Sequence, residues 1–273
     1  MADILIRGAR RIVGHPADIS DVRISGGIIT EVGSDLTAAP TDEVVQADEM
    51  IVMPGMADTH THLWEALFRG RVAEAWGLEY FTNIPPLGSW LHPSDMYTGV
   101  LAGSLELLAN GVTTVLDFCH AILTPEHADA GLQALQDAGI RALFAYDLQG
   151  RDPSSQGTLA PSDARFGDVE RVMAATSPDG LVRVGTGLNT IDASNGDQVA
   201  REVEFSREHG LTMTFHNNRG GELEALERLD LLDRDILPAH CNYTTDADLD
   251  ALARVGGSIS TQPEAETYAG RRP

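Results

Sequence analysis

Hydrophobic and polar positions alternate through residues 1–50, and this period of two is typical of strands rather than helices. Short apolar runs occur at 4–6 and 22–24, and a further pair, Ile28-Ile29, follows Gly26-Gly27. Two short strands around a Gly-Gly pair predict a hairpin. The pattern indicates that residues 1–50 form the N-terminal part of a composite β domain, a small β-sandwich portion that is incomplete by itself.

From Ile51 onward the pattern changes to short apolar runs that alternate with helical segments. Thr124-Pro125 predicts the start of one helix, and Gly139 predicts its end. Apolar runs separated in this way predict parallel strands buried on both faces, with right-handed crossovers. We therefore predict an α/β fold, a (β/α) TIM-type barrel, over residues 51–273. Seven strands are expected, ending near His62, His120, Tyr146, Leu188, His216, His240 and Thr261.

Histidines stand at the ends of four of these predicted strands. His60 and His62 are two residues apart, so on an extended chain their side chains share one face. His120, His216 and His240 end later strands. In barrels of this type the functional site lies at the C-terminal ends of the strands. A His-x-His pair by itself also fits a surface strand, and His216 also fits a core histidine, but imidazoles from four strands favour a shared site.

Neutral imidazoles are ligands of divalent transition metals, zinc above all. Zinc with three protein ligands keeps one position open for a water, whose pKa falls to about 7. We predict that His60, His62 and His216 are the metal ligands and that His240, beside the water, is catalytic. His120 is expected to contact substrate or to support the metal ligands from behind. Zinc fits best, and iron accepts the same ligands.

All 19 basic residues are arginines, so the chain has no lysine. A carboxylated lysine that bridges two metals is therefore excluded, and a single ion is expected. A long connection at 63–93 follows the first histidines, and long loops in compact domains are often functional. Trp64 and Glu65, directly after His62, are predicted to contact the substrate.

Composition narrows the class of protein. With 273 residues, 42% of them hydrophobic, the chain has enough material for a sizeable core. A net charge of −22 argues against nucleic-acid or anionic-membrane partners, and no apolar run is long enough to span a membrane. Only Cys119 and Cys241 occur, and no signal peptide is visible. We expect a cytoplasmic protein with a small-molecule substrate, and a homo-oligomer is compatible with the sequence.

The stretch Met53-Pro-Gly-Met-Ala-Asp-Thr-His60-Thr-His62, followed by His216 and then His240-Cys241, resembles the amidohydrolase superfamily. It is most similar to the cytosine-deaminase and chlorotriazine-hydrolase branch, and the resemblance covers nearly the whole chain. It implies metal-dependent hydrolysis of a C–N bond in a small heterocyclic substrate, by deamination or by amide or ring-amine hydrolysis, through a metal-activated water.

The sequence departs from the family pattern at its C-terminal end. The family carries a further aspartate at the end of an eighth strand, and no counterpart precedes Pro273. The barrel is therefore expected to lack its eighth strand, and Asp246, Asp248 and Asp250 are interpreted as helix-cap and solvated residues. The alternative hypothesis is that the chain is a catalytically inactive fragment or remnant of such an enzyme.

A second departure follows His216. The family usually has a proton-shuttling glutamate shortly after this histidine, whereas Asn217-Asn218-Arg219 follow here. Glu222 is one candidate replacement, although a surface role on a short helix fits it better. Glu264 and Glu266, past the seventh predicted strand, are expected to face the mouth of the barrel, with Glu264 as a substrate-binding candidate. Solvated loop carboxylates fit them equally well.

Overall fold

A computed structural model describes residues 3–71, 79–149, 163–177 and 179–268. The chain divides into two compact units, Met1–Gly55 and Met56–Pro273. Residues 72–78, within the long connection expected after the first histidines, lie outside the described part. Among the described residues, no helix has the length and apolar character needed to cross a membrane.

The first unit is built from short strands. Its main sheet has the order β4-β3-β1-β5, and β2 pairs with β6 in parallel. The predicted hairpin is confirmed: β3 and β4 are antiparallel, and Gly26 and Gly27 between them have φ of 58° and 80°, as a tight hairpin turn requires. The strands are β1 Ile4–Arg7, β2 Arg11–Ile12, β3 Asp21–Ser25, β4 Ile28–Gly33, β5 Glu43–Gln46 and β6 Ile51–Val52.

The second unit is an α/β barrel of the predicted type. Six parallel strands pair in chain order, from β7 to β12, to form a nearly closed barrel. The strands are β7 Met56–Thr61, β8 Val112–Cys119, β9 Arg141–Asp147, β10 Val182–Gly187, β11 Met213–Asn217 and β12 Ile236–His240. The helices are α1 Glu79–Asn83, α2 Pro93–Ala109, α3 Pro125–Ala138, α4 Asp163–Ala174, α5 Gly196–Glu208, α6 Glu222–Arg228, α7 Asp246–Arg254 and α8 Pro263–Tyr268, with 3₁₀ helices at Leu63–Phe68 and Pro85–Trp90.

The seventh predicted strand is reduced to a single bridge. Ser260 pairs with Ala239, accepting a hydrogen bond from His240 N at 2.8 Å and donating one to Pro238 O at 2.9 Å. The prediction of a full strand at 258–261 was wrong because a turn at Gly256 (φ 67°) precedes the segment and α8 begins soon after it. Even so, the Thr59 and Ser260 hydroxyls meet at 2.6 Å, linking β7 to this last segment.

Helix α3 begins and ends where the sequence predicts, with Thr124 as N-cap and Gly139 in the left-handed conformation (φ 69°) as C-cap. Helix α2 has His92 as its N-cap. Pro93 occupies its first turn, and the N–H of His92 donates to Asp95 Oδ2 at 2.9 Å. Because proline fits the first helical position, the cap falls on the residue before it.

Two glycines of α2 allow the 3₁₀ helix after the first histidines to pack directly against it. A Cβ at Gly99 would lie 2.7 Å from Trp64 O, and one at Gly103 would lie 3.0 Å from Leu63 Cδ2. A side chain at Gly99 would collide with the backbone, and one at Gly103 would force Leu63 to shift. The chain that leaves His62 is therefore held against α2 from its first turn.

Candidate metal centre

Four imidazoles converge at the C-terminal ends of the barrel strands. His60 and His62 come from the end of β7, His216 from β11 and His240 from the last position of β12. The ring centroid of His60 lies 5.0 Å from that of His62, 4.9 Å from that of His216 and 5.1 Å from that of His240. The structure thus brings together all four residues that the sequence predicts for the metal ligands and the catalytic position.

The ring nitrogens are close enough to share one ion. His60, His216 and His240 each offer a nitrogen within 4.8 Å of the others, and His62 Nε2 lies 3.3 Å from His216 Nε2. His62 Nδ1 lies 2.7 Å from the backbone oxygen of Phe118. A carbonyl only accepts, so Nδ1–H donates and Nε2 keeps its lone pair toward His216. Metal-binding histidines are commonly fixed in this way.

The environment also suits a metal. His60 is buried, and neither of its ring nitrogens has a hydrogen-bond partner among the described residues. Burial, followed by the neighbouring histidines, holds the pKa values of His60 and His216 well below the usual range. Both rings are therefore neutral near pH 7, with lone pairs available to a cation. Buried polar groups normally have partners, so unpartnered nitrogens in a histidine cluster fit a set of metal ligands.

His120 lies beside this cluster, with its ring centroid 4.1 Å from that of His62. The indole Nε1–H of Trp64 donates to His120 Nδ1 at 3.3 Å. The same nitrogen lies 3.4 Å from the Phe118 carbonyl oxygen, so it accepts from the indole in one tautomer and donates to the carbonyl in the other, and Nε2 is the second ring nitrogen. That nitrogen lies 3.7 Å from Glu65 Oε1, which also accepts from Tyr80 OH at 2.6 Å.

Trp64 does not lie where a substrate could stack on it. Its side chain is fully buried, and its ring reaches to within 3.2 Å of the Cβ position that Gly88 lacks. The prediction of a direct substrate contact is therefore corrected: the indole supports His120. Glu65 is partly exposed and remains a candidate for substrate contact.

The two glutamates after the seventh segment lie in different environments. Both lie in α8, where two residues correspond to about 200° of rotation, so they point to opposite faces. Glu264 is exposed, whereas Glu266 is buried and its Oε1 lies 3.4 Å from His240 Nδ1. Glu266 therefore faces His240, and the substrate contact of Glu264 stays a prediction.

Glu222 is not the exposed helix residue that the sequence suggests. It is buried, and burial raises its pKa even though Arg219 pairs with it at 3.0 Å. Arg219 also donates to Ile191 O at 3.2 Å. The Glu222 carboxylate is thus engaged with Arg219 rather than left as an unpaired surface acid.

Asp117 and the Phe118 carbonyl were not assigned roles from the sequence. Asp117 is fully buried near the end of β8, and its Oδ1 accepts from Leu63 N at 3.0 Å. The sequence does carry a signal for Asp117, because an acidic residue directly follows an apolar run there. A backbone carbonyl leaves no such signal.

Residues 51–271 match the model of the amidohydrolase family, and the chain belongs to this family. Its relatives include 5'-deoxyadenosine deaminase of Methanothrix thermoacetophila, 30% identical over 237 residues, covering 85% of this chain and 56% of that protein. Another is 5-methylthioadenosine/S-adenosylhomocysteine deaminase of Desulforudis audaxviator, 27% identical over 285 residues, covering 96% and 63%. The chain thus spans 56% and 63% of the length of these two relatives.

Solved structures share the fold. A triazine hydrolase from Arthrobacter aurescens superposes with a TM-score of 0.83 at 21% identity, covering 99% of this chain and 67% of that one. An adenosine deaminase from Xanthomonas campestris, solved with bound zinc, gives a TM-score of 0.81 at 20% identity, with 99% and 65% coverage.

Proposed function

We propose that this chain contains the active centre of a metal-dependent hydrolase that breaks a C–N bond in a small heterocyclic amine. The observation that carries the proposal is the convergence of His60, His62, His216 and His240 at one end of the barrel. The named deaminases among the relatives act on adenosine derivatives, which supports deamination of a purine nucleoside or a similar ring.

We propose His60, His62 and His216 as ligands of one divalent ion, with zinc favoured because neutral imidazoles suit it and because a zinc-bound structure shares the fold. When bound, the ion would supply Lewis acidity and would lower the pKa of a water toward neutrality. His240, beside this position, would orient the attacking water and stabilise the negative charge that develops in the transition state. His120 and Glu65, joined at 3.7 Å, present a polar edge for the substrate.

The test combines metal content and turnover. The chain is purified, stripped with a chelator and reloaded with zinc or iron, and its metal content is measured by mass spectrometry. Ammonia release is then followed with 5'-deoxyadenosine, methylthioadenosine and a triazine. Alanine at His60, His62 or His216 is expected to remove the metal, whereas His240→Ala retains it and loses turnover. His15→Ala, at an exposed histidine of the first unit, is the matched control.

Turnover without metal, or a wild-type chain that binds no metal, overturns the proposal. Loss of the metal in His240→Ala but not in His62→Ala would exchange the roles of these two histidines. Metal binding without turnover of any of these substrates would support the alternative hypothesis of an inactive fragment.

A further inference from the structure

The carboxylate of Glu266 is buried next to the histidine cluster but belongs to none of the motifs that define the site. Only 3% of the residue is exposed, and its Oε1 lies 3.4 Å from His240 Nδ1. A buried carboxylate is costly unless its oxygens are engaged. The groups around Glu266 must therefore compensate the burial of its carboxylate.

Two hydrogen-bond donors hold this carboxylate in place. Asn242 Nδ2 donates to Oε2 at 2.7 Å, and the backbone N–H of Gln262 donates to Oε1 at 3.0 Å. These donors come from both sides of the carboxylate, one from the turn after β12 and one from the residue before α8. Glu266 is thus a fixed group, whose orientation does not depend on His240 alone.

The backbone at His240 is shaped to allow this contact. His240 and Cys241 have φ of 75° and 60°, two consecutive non-glycine residues in the left-handed region. Each such residue costs about 1 kcal/mol or more and persists where the surroundings hold it. The reversal brings Asn242 back toward α8, so that one turn carries both the histidine and a donor to the carboxylate.

We propose that Glu266 is the positioning residue of His240: its carboxylate, 3.4 Å from Nδ1, favours the proton on that nitrogen and thereby directs the Nε2 lone pair into the metal centre. The inference rests on the proposed function, because it concerns the histidine placed beside the water. A carboxylate behind a functional histidine commonly fixes its ring and tautomer. Here the carboxylate comes from α8, the helix that follows the reduced seventh segment.

The tautomer of His240 in the metal-free protein tests this directly. The chain is labelled with ¹⁵N-histidine, the His240 signals are assigned from their loss in His240→Gln, and long-range ¹H–¹⁵N spectra report which nitrogen bears the proton. We expect wild-type His240 to be mainly Nδ1–H. In Glu266→Gln the ratio of Nδ1–H to Nε2–H should fall about fivefold, because the neutral amide lacks the negative charge that favours a proton on the nearer nitrogen.

Glu264→Gln, on the opposite face of the same helix, removes an equal charge and should leave the ratio unchanged. Should Glu266→Gln fail to fold, Asn242→Ala replaces it, since it frees the carboxylate and should lower the ratio to a smaller extent. An unchanged ratio in the folded variant, or an equal change in Glu264→Gln, overturns the inference.

On the zinc-loaded chain, Glu266→Gln should lower kcat by about 10- to 100-fold with little change in KM and with the metal retained. A variant that loses its metal contradicts a role confined to His240. Absence of metal from the wild-type chain would instead count against the proposed function, and the tautomer measurement would still decide the role of Glu266.

Discussion

Asp117 accepts a hydrogen bond from the backbone N–H of Leu63 at 3.0 Å, and so ties the end of β8 to the residue directly after His62. The carboxylate is fully buried, and its Oδ2 has no hydrogen-bond partner among the described residues. Burial raises the pKa of Asp117 to about 7, while the Leu63 N–H works in the opposite direction. Asp117 thus ties β8 to the segment after His62, and its contribution to the free energy of unfolding depends on whether the carboxyl group is ionised.

We predict that Asp117→Asn flattens the pH dependence of stability. The carboxyl pKa is near 3.9 in the unfolded chain and about 7 in the fold. The folded state therefore binds the proton more tightly, and the free energy of unfolding falls as pH rises from about 4 to about 7, by on the order of 4 kcal/mol. Asparagine keeps the acceptor for Leu63 without this ionisation. Urea unfolding of the chelated protein at pH 5 and pH 8 measures the difference, and parallel profiles for the two proteins would contradict it.

Metal binding should be nearly independent of pH around neutrality. The pKa values of His60 and His216 are held well below 6.5, so both imidazoles are already neutral at pH 7 and no proton need leave them. Affinity is full above the folded pKa values and is lost only as pH falls through them. Zinc titration calorimetry at pH 7, repeated in buffers of different ionisation enthalpy, should show almost no proton release from these two rings. Release of two protons per ion would show that they start out charged.

Gly99→Ala should destabilise the barrel by about 1–3 kcal/mol, because the new Cβ would lie 2.7 Å from Trp64 O. Gly167→Ala is the matched control, since nothing lies within 4 Å of a Cβ at that helical position. Alanine there should stabilise α4 by about 0.5–1 kcal/mol. Thermal and urea unfolding would measure both changes. Equal effects of the two substitutions would mean that α2 can move away from the 3₁₀ helix without cost.

Trp64→Phe tests whether the indole supports His120 or contacts the substrate. The substitution removes the donor to His120 Nδ1 and leaves a small void, so we expect a loss of about 1–3 kcal/mol in stability. In the zinc-loaded chain kcat should fall more than KM rises. A large rise in KM with unchanged stability would return Trp64 to the substrate site.

Much of the site was predictable because its signals are local. The histidines could be placed at strand ends because His60 and His62 are two residues apart and because His216 and His240 end apolar runs. Parallel strands bring such ends together whatever the details of packing. The N-cap at Thr124 and the Gly26-Gly27 hairpin are local in the same sense.

The features that were missed depend on contacts between distant segments. The Trp64 ring packs against Gly88 and the Trp64 backbone against Gly99, and neither glycine reveals its partner in the sequence. Helix α8 has six residues, too few for a periodic pattern that would have separated Glu264 from Glu266. The Phe118 carbonyl that fixes His62 is a backbone atom, which any residue would supply.

The 2.6 Å contact between Thr59 and Ser260 joins positions 201 residues apart. This separation affects the order in which the protein can fold during its synthesis. Closing a chain segment of that length costs roughly 5 kcal/mol in entropy. His62 and His216 are themselves separated by 154 residues, which at translation rates of about 5–20 residues per second corresponds to roughly 8–30 s of synthesis. During that interval the nascent chain displays a histidine pair without its partners, and the complete cluster forms only when β11 and β12 have left the ribosome.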